Sequence, residues 1–186
     1  IALVKEIRQS RELPIVLMTS FNPVFVYGEK QFIDDAASAG VDGVIIPDLP
    51  PEEAGEFSAG ADEKGIDMIH LLAPTSSDER VRMVAEHSRG FIYYISLTGT
   101  TGVRTELSDG LGDKVTSIKQ VANIPVLVGF GISGPDQARY AAQVSDGVIV
   151  GSAIVKLIEQ NPDPTQRDSK LAEFVTSVKQ AISDLN

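Results

Sequence analysis

Residues 124–134 read IPVLVGFGISG, and residues 146–156 read DGVIVGSAIVK. Each is a short apolar run that ends in glycine and leads into a helix-like segment. Val and Ile occupy successive positions in both, without polar residues between them. That is the pattern of a strand buried on both faces of a parallel sheet. Working outward, runs of the same kind recur at Pro14–Met18, Val41–Pro47, Ile66–Leu72 and Gly90–Ser96. The intervals between them leave room for one helix and two loops each time.

The intervals carry helix signals. Glu29–Ala39 is apolar on one face and ends at Gly40, a C-cap glycine. Pro51–Lys64 opens with Pro51, Glu52 and Glu53 and closes at Gly65. Proline suits a first helical turn, and acids there suit the dipole. Ser76-Ser77-Asp78-Glu79 forms a capping box. Further helices are expected at Asp113–Val121, Pro135–Gln143, Ala153–Gln160 and Ser169–Leu185, the last with an apolar stripe for docking. Asn161–Arg167, with its two prolines, reads as a linker. Asn22-Pro23 reads as a turn or a pocket wall. Residues 1–9, IALVKEIRQ, read as the end of an amphipathic helix, so the chain is expected to begin in mid-fold.

An alternating strand–helix chain folds as an open doubly wound sheet or as a (β/α)8 barrel. Six units fit in the 186 residues, whereas a complete barrel takes about 250. A barrel reading therefore makes residues 1–186 a single barrel domain, N-terminally incomplete, holding roughly strands 3 to 8 and their helices.

Composition removes other classes. With 42% hydrophobic residues the chain has enough apolar side chains for a core, which argues against disorder. It has no Cys and only His70 and His87, so thiolate or multi-histidine metal sites are not expected. A net charge of −10 argues against nucleic acid as a partner. No apolar run reaches membrane-spanning length, and residues 1–9 lack a signal-peptide pattern.

Gly129-Phe130-Gly131-Ile132-Ser133-Gly134 matches the dinucleotide fingerprint literally. That fingerprint needs an acid at the end of the following strand, to hold a ribose. Here the strand ends in Gly151-Ser152. The two glycine turns taken together fit a phosphate site better. Glycine admits close approach to backbone N–H groups, and a helix start adds partial positive charge. In barrels the common phosphate site lies after strands 7 and 8. A Val at Gly131 or Gly151 is expected to strain the turn and block that approach.

Other features are open to two readings. The loop 97–111 is long and rich in Gly, Thr and Ser, as in an active-site lid or a surface loop. Asp48 follows a strand end and is either functional or a cap on the next helix. His70 reads as a satisfied core residue, and His87 as a helix-end cation. Tyr93 and Tyr94 should point to opposite faces of their strand, one of them inward.

Taken together, Asn22-Pro23, AGVDGVIIPDLPPEE (39–53), LLAPTSSDER (71–80), GFIYYISLTGTTGVR (90–104), PVLVGFGIS (125–133) and DGVIVGSAIVK (146–156) resemble the α subunit family of tryptophan synthase. The resemblance runs over the whole chain. It implies a (β/α)8 barrel and retro-aldol cleavage of indole-3-glycerol phosphate to indole and glyceraldehyde 3-phosphate. It also implies transfer of indole to a β subunit within an α2β2 assembly. The α subunit would need no cofactor, since pyridoxal phosphate belongs to the β partner. A member would be cytoplasmic, or in the chloroplast stroma if from a plant.

By the same resemblance, Gly102, Gly131, Gly151 and Ser152 would hold the substrate phosphate, and Tyr93, Thr101, Phe130, Ile45 and Met18 would line the indole pocket. Loop 97–111 would match the family's closing loop. Ser20 stands where some relatives have Tyr, and Thr100 where Val is common. The family's catalytic Glu and Asp precede the stretch matching Ile1, so no catalytic residue is expected within 1–186. Two other readings share these motifs: a stand-alone indole-3-glycerol phosphate lyase, and a non-catalytic sugar-phosphate-binding fragment.

Overall fold

A computed structural model describes residues 1–95, 110–129 and 131–185. The elements alternate along the chain. They begin with α1 (Ala2–Arg8), β1 (Val16–Met18), α2 (Phe21–Tyr27), α3 (Glu29–Ala39), β2 (Gly43–Ile45) and α4 (Gly55–Glu63). Next come β3 (Asp67–Ile69), β4 (Leu71–Leu72), α5 (Asp78–His87), β5 (Ile92–Ile95) and α6 (Leu111–Lys119). The chain ends with β6 (Val126–Gly129), α7 (Pro135–Val144), β7 (Gly147–Ile149), α8 (Ser152–Gln160) and α9 (Pro164–Ser183). One sheet has the order β1-β2-β3 and the other β4-β5-β6-β7. The order rises without reversal in both, and the registers described are parallel. A doubly wound sheet reverses its order at a switch point, so unreversed order favours the barrel pattern.

All six expected strands are present, with the third divided at His70 into β3 and β4. Three expectations need correction. Asn22-Pro23 lies inside α2, a helix the sequence reading did not include. Pro23 is tolerated because it falls in the first turn, where its missing N–H has no intrahelical partner. The second half of the expected linker is helical: α9 starts at Pro164, because Asp163 accepts the Gln166 N–H at 2.9 Å as an N-cap. Helix α4 starts at Gly55, after turns over residues 48–53.

The chain divides into two compact units, Ile1–Leu71 with Asp78–Ile92, and Leu72–Ser77 with Tyr93–Asn186. The first has a core of Val24, Phe32, Ala36, Val44, Phe57 and Met68, all under 9% exposed. Phe57 stacks on Phe32 and meets Phe21 edge-on, at centroid separations of 6.3 and 6.4 Å. In the second unit Val115, Ile118, Val126, Val128, Ala138 and Ala141 are fully buried. No helix among the described residues is long and apolar enough to cross a membrane.

One device occurs in both units. In each unit an Asp-Gly pair stands at the start of a strand, Asp42-Gly43 before Val44 and Asp146-Gly147 before Val148. Asp146 exchanges bonds with Val126 at the neighbouring strand's start: Val126 N–H donates to its carboxylate at 2.9 Å, and its own N–H donates to Val126 O at 3.0 Å. Lys119, at the end of α6, donates to the same carboxylate at 2.6 Å. Asp42 repeats the pattern with Ile15, at 2.6 and 2.9 Å, and with Arg8 at the end of α1. The glycines are needed for closeness, since a Cβ would come 2.8 Å from Ile69 Cδ1 at Gly43 and 3.1 Å from Leu127 Cδ2 at Gly147. Each clamp thus ties helix end, strand start and strand register together.

Replacing Asp146 by Ala leaves the N–H of buried Val126 without its charged acceptor, so a loss of about 2 kcal/mol is expected. Urea denaturation of Asp146→Ala should show a lower midpoint with unchanged slope. An unshifted midpoint would mean that the clamp contributes nothing.

Candidate phosphate-binding site

Strands β6 and β7 are parallel neighbours, with Leu127 opposite Gly147, Val128 opposite Val148 and Gly129 opposite Ile149. The chain therefore leaves both strands at the same sheet end. The first exit runs through Gly131 to Gly134, the N-cap of α7, with Pro135 at the first helical position. The second runs through Val150 to Gly151, the N-cap of α8. Two helix starts, each with N–H groups lacking intrahelical partners, lie beside one sheet end. Ile132, 3% exposed, anchors the first loop from below, while Gly131, Gly151 and Ser152 are exposed.

The glycines differ in what they do. A Cβ on Gly129 would lie 2.1–2.6 Å from the Tyr93 ring and hydroxyl, so Gly129 makes room for Tyr93. Among the described residues, a Cβ on Gly131 or Gly151 meets nothing within 4 Å. Gly151 has a φ of −119°, outside the left-handed region, so the expected strain of a substituted turn does not hold there. Obstruction of an approaching group is the effect that remains. This makes both positions suitable for testing binding apart from folding.

The other expected site residues divide by unit. In the first, Met18 and Ile45 pair across β1 and β2 at the strand ends; Ile45 is buried and Met18 is 60% exposed. In the second, Tyr93 is half-buried and Tyr94 is buried, as alternation along β5 requires. Burial raises the pKa of both phenols. Thr101, Gly102, Phe130 and positions 97–109 of the expected lid lie outside the described residues.

Asp48 is a cap, but not on the helix that follows it. Its Oδ1 accepts the Phe21 N–H at 2.8 Å, at the start of α2. Sequence reasoning could not assign this role, because the partner is 27 residues away in a helix that had not been recognised.

His70 is buried as expected, at 3% exposed, yet its Nε2 has no hydrogen-bond partner among the described residues. Its pKa is lowered to about 4, mainly by burial, with the charges of His87 and Arg80 adding and Glu52 opposing. His87 ends α5, its Nδ1 2.8 Å from Met83 O. Among the described residues no group of three or more His, Asp or Glu is placed to hold a metal.

Parallel strands in unreversed order, alternating with helices, are the pattern of the (β/α)8 barrel class. The family model for the tryptophan synthase alpha chain matches residues 1–183. The tryptophan synthase alpha chain of Geotalea uraniireducens is 50% identical over 182 residues, which is 98% of this chain and 68% of that protein. That of Geobacter sulfurreducens is 47% identical over 182 residues, 98% of this chain and 69% of the relative. Among solved structures, the Pyrococcus furiosus a2b2 complex matches with TM-score 0.87 at 36% identity, covering 96% of this chain and 72% of that one. The Legionella pneumophila alpha chain matches with TM-score 0.87 at 34% identity, covering 100% of this chain and 69% of that one. The chain belongs to the tryptophan synthase alpha chain family, a family of lyases in tryptophan biosynthesis with the (β/α)8 fold. It spans about two thirds of the length of these relatives.

The lowered pKa of His70 has a definite sign. The unfolded chain takes up the proton near the ordinary value of 6.5 and the folded chain only near 4. The stability that neutral His70 contributes is therefore full above pH 6.5 and lost as pH falls toward 4, by about 3 kcal/mol. His70→Phe, which cannot titrate, should lose less stability than the parent between those two pH values. Equal losses in chemical denaturation would show that His70 carries no such burden.

Proposed function

We propose that this chain is the lyase subunit that cleaves indole-3-glycerol phosphate to indole and glyceraldehyde 3-phosphate. The observation that carries the reading is the pair of glycine exits from β6 and β7, side by side in register and each entering a helix. A phosphate placed there accepts N–H bonds from the backbone at Gly131, Gly151 and Ser152 and gains from both helix dipoles. Gly102 joins this set by the family resemblance. Because the acceptor is a dianion and the donors are fixed main chain, no side-chain ordering is needed on binding.

Retro-aldol cleavage breaks the bond between the indole ring carbon and the glycerol chain. It needs an acid to protonate the ring carbon and a base to take the proton of the neighbouring hydroxyl. We assign these roles to the family's Glu and Asp, which stand in its first two βα units and correspond to no residue of 1–186. The resemblance gives Met18, Ile45, Tyr93, Thr101 and Phe130 an indole-facing role. It makes loop 97–111 the segment that closes on substrate, and residues 1–186 part of one barrel domain. The chain itself would use no cofactor. A solved relative is an a2b2 complex, which supports a β subunit as partner, receiving indole and carrying the pyridoxal phosphate. A cytoplasmic location accords with this role.

The test is calorimetric titration of glycerol 3-phosphate into the protein and into Gly131→Val and Gly151→Val. Both variants should bind at least tenfold more weakly, about 1.4 kcal/mol or more, with thermal midpoints close to the parent's. Undiminished binding in both would refute the phosphate site.

A further inference from the structure

In the first compact unit the strand ends that carry Met18 and Ile45 are bridged twice. Thr19, just past β1, donates its N–H at 3.0 Å to the carbonyl oxygen of Ile45, the last residue of β2. Two residues on, Phe21 donates its N–H to Asp48 Oδ1 at 2.8 Å. This second bridge is also the start of α2. Ser20 stands at the N-cap, yet its side chain makes no capping bond. A carboxylate from the exit of β2 takes its place.

Asp48 is itself held from the other side. Its loop is closed by Leu49 N–H to Ile46 O at 3.1 Å and by Glu53 N–H to Pro50 O at 2.9 Å. Leu49 and Ala54 are buried. Glu52 accepts from Arg80 Nη1 of α5 through both carboxylate oxygens. The start of α2 is therefore tied to a loop that is fixed at both ends.

We propose that Asp48 is a positioning residue for indole: by holding the start of α2 to the exit of β2, it keeps Met18 beside Ile45. The proposal rests on the indole-facing role given above to those two residues. Met18 is the one that needs the hold. It ends a strand of three residues at the outer edge of its sheet, and it is 60% exposed. Its side chain is unbranched and flexible, so the course of the main chain beyond it sets where it can reach. Ordering it before the ligand arrives lowers the cost of binding. The Phe21–Asp48 bond lies at the surface, where water can serve either partner, so its loss costs geometry more than stability. What matters is the acceptor and not the charge, because an amide oxygen can take the same N–H.

Indole is the probe, titrated into protein with 13C-labelled Met and Ile methyl groups. In the parent the Met18 and Ile45 methyl resonances should shift saturably. Asp48→Ala should bind indole at least fivefold more weakly, with the Met18 resonance displaced before any indole is added. Asp48→Asn, whose side-chain oxygen still accepts the Phe21 N–H, should bind within twofold of the parent. Asp48→Ser is too short to reach that N–H but suits a turn. It should bind as weakly as Asp48→Ala, and it decides the matter if Asp48→Ala fails to fold. Parent methyl groups unmoved by indole would overturn the indole-facing reading and this proposal with it. Parent shifts with undiminished binding in Asp48→Ala or Asp48→Ser would overturn the positioning role alone. So would Asp48→Asn binding as weakly as Asp48→Ala, since the charge and not the bond would then be the cause.

Discussion

The exchange of hydrogen bonds between Asp146 and Val126 fixes the pairing on which the candidate site rests. Parallel strands have no turn between them to set their register. Here a carboxylate and two main-chain groups set it at the strand starts, and Lys119 ties the end of α6 to the same point. The carboxylate is pushed up by partial burial, but Lys119 and the Val126 N–H outweigh that and hold its pKa below the usual range. With the starts locked, Gly129 must lie opposite Ile149, and the two glycine loops must leave at the same level. A slip of one residue would turn Val126 and Val128 from the core to the other face and separate the loops.

That geometry gives an acidic chain a way to hold an anion. At a net charge of −10 the long-range field repels a phosphate. Helix starts act at short range and need no Lys or Arg. The division of labour among the glycines follows from this. Gly129 makes room for Tyr93, whereas Gly131 and Gly151 keep the main chain uncovered. Glycines of the same loops thus serve packing in one case and access in the other.

The βα repeat was legible because buried parallel strands write themselves as unbroken apolar runs, and because Gly40 and Pro135 mark helix ends by local chemistry; the expected Ser76–Glu79 box is not formed, since α5 starts at Asp78 and Ser76 Oγ accepts the Ala73 N–H instead. What failed to show depended on the position of prolines within a helix and on contacts distant in sequence. Helix α2 was hidden by Pro23, a residue that breaks helices everywhere except in the first turn. The start of α9 was hidden by Pro164 for the same reason. Asp48 was rightly suspected of capping, yet its partner is reached across the fold. His70 sits among apolar neighbours, so sequence gave its burial, but whether its nitrogen finds a partner depends on the side chains around it. The glycine motif itself was ambiguous, since the dinucleotide fingerprint and a phosphate cradle share its letters. The missing acid after β7 separated the two, and the resemblance carried the substrate.

The central claim is that phosphate is held by main-chain N–H groups at the ends of β6 and β7. Amide 1H–15N spectra recorded during addition of glycerol 3-phosphate test it most directly. The account predicts saturable downfield shifts of the Gly131, Gly151 and Ser152 amides, with little change in the Asp42 and Gly43 amides at the strand starts of the first unit. Saturable binding that leaves those three amides unmoved would contradict it.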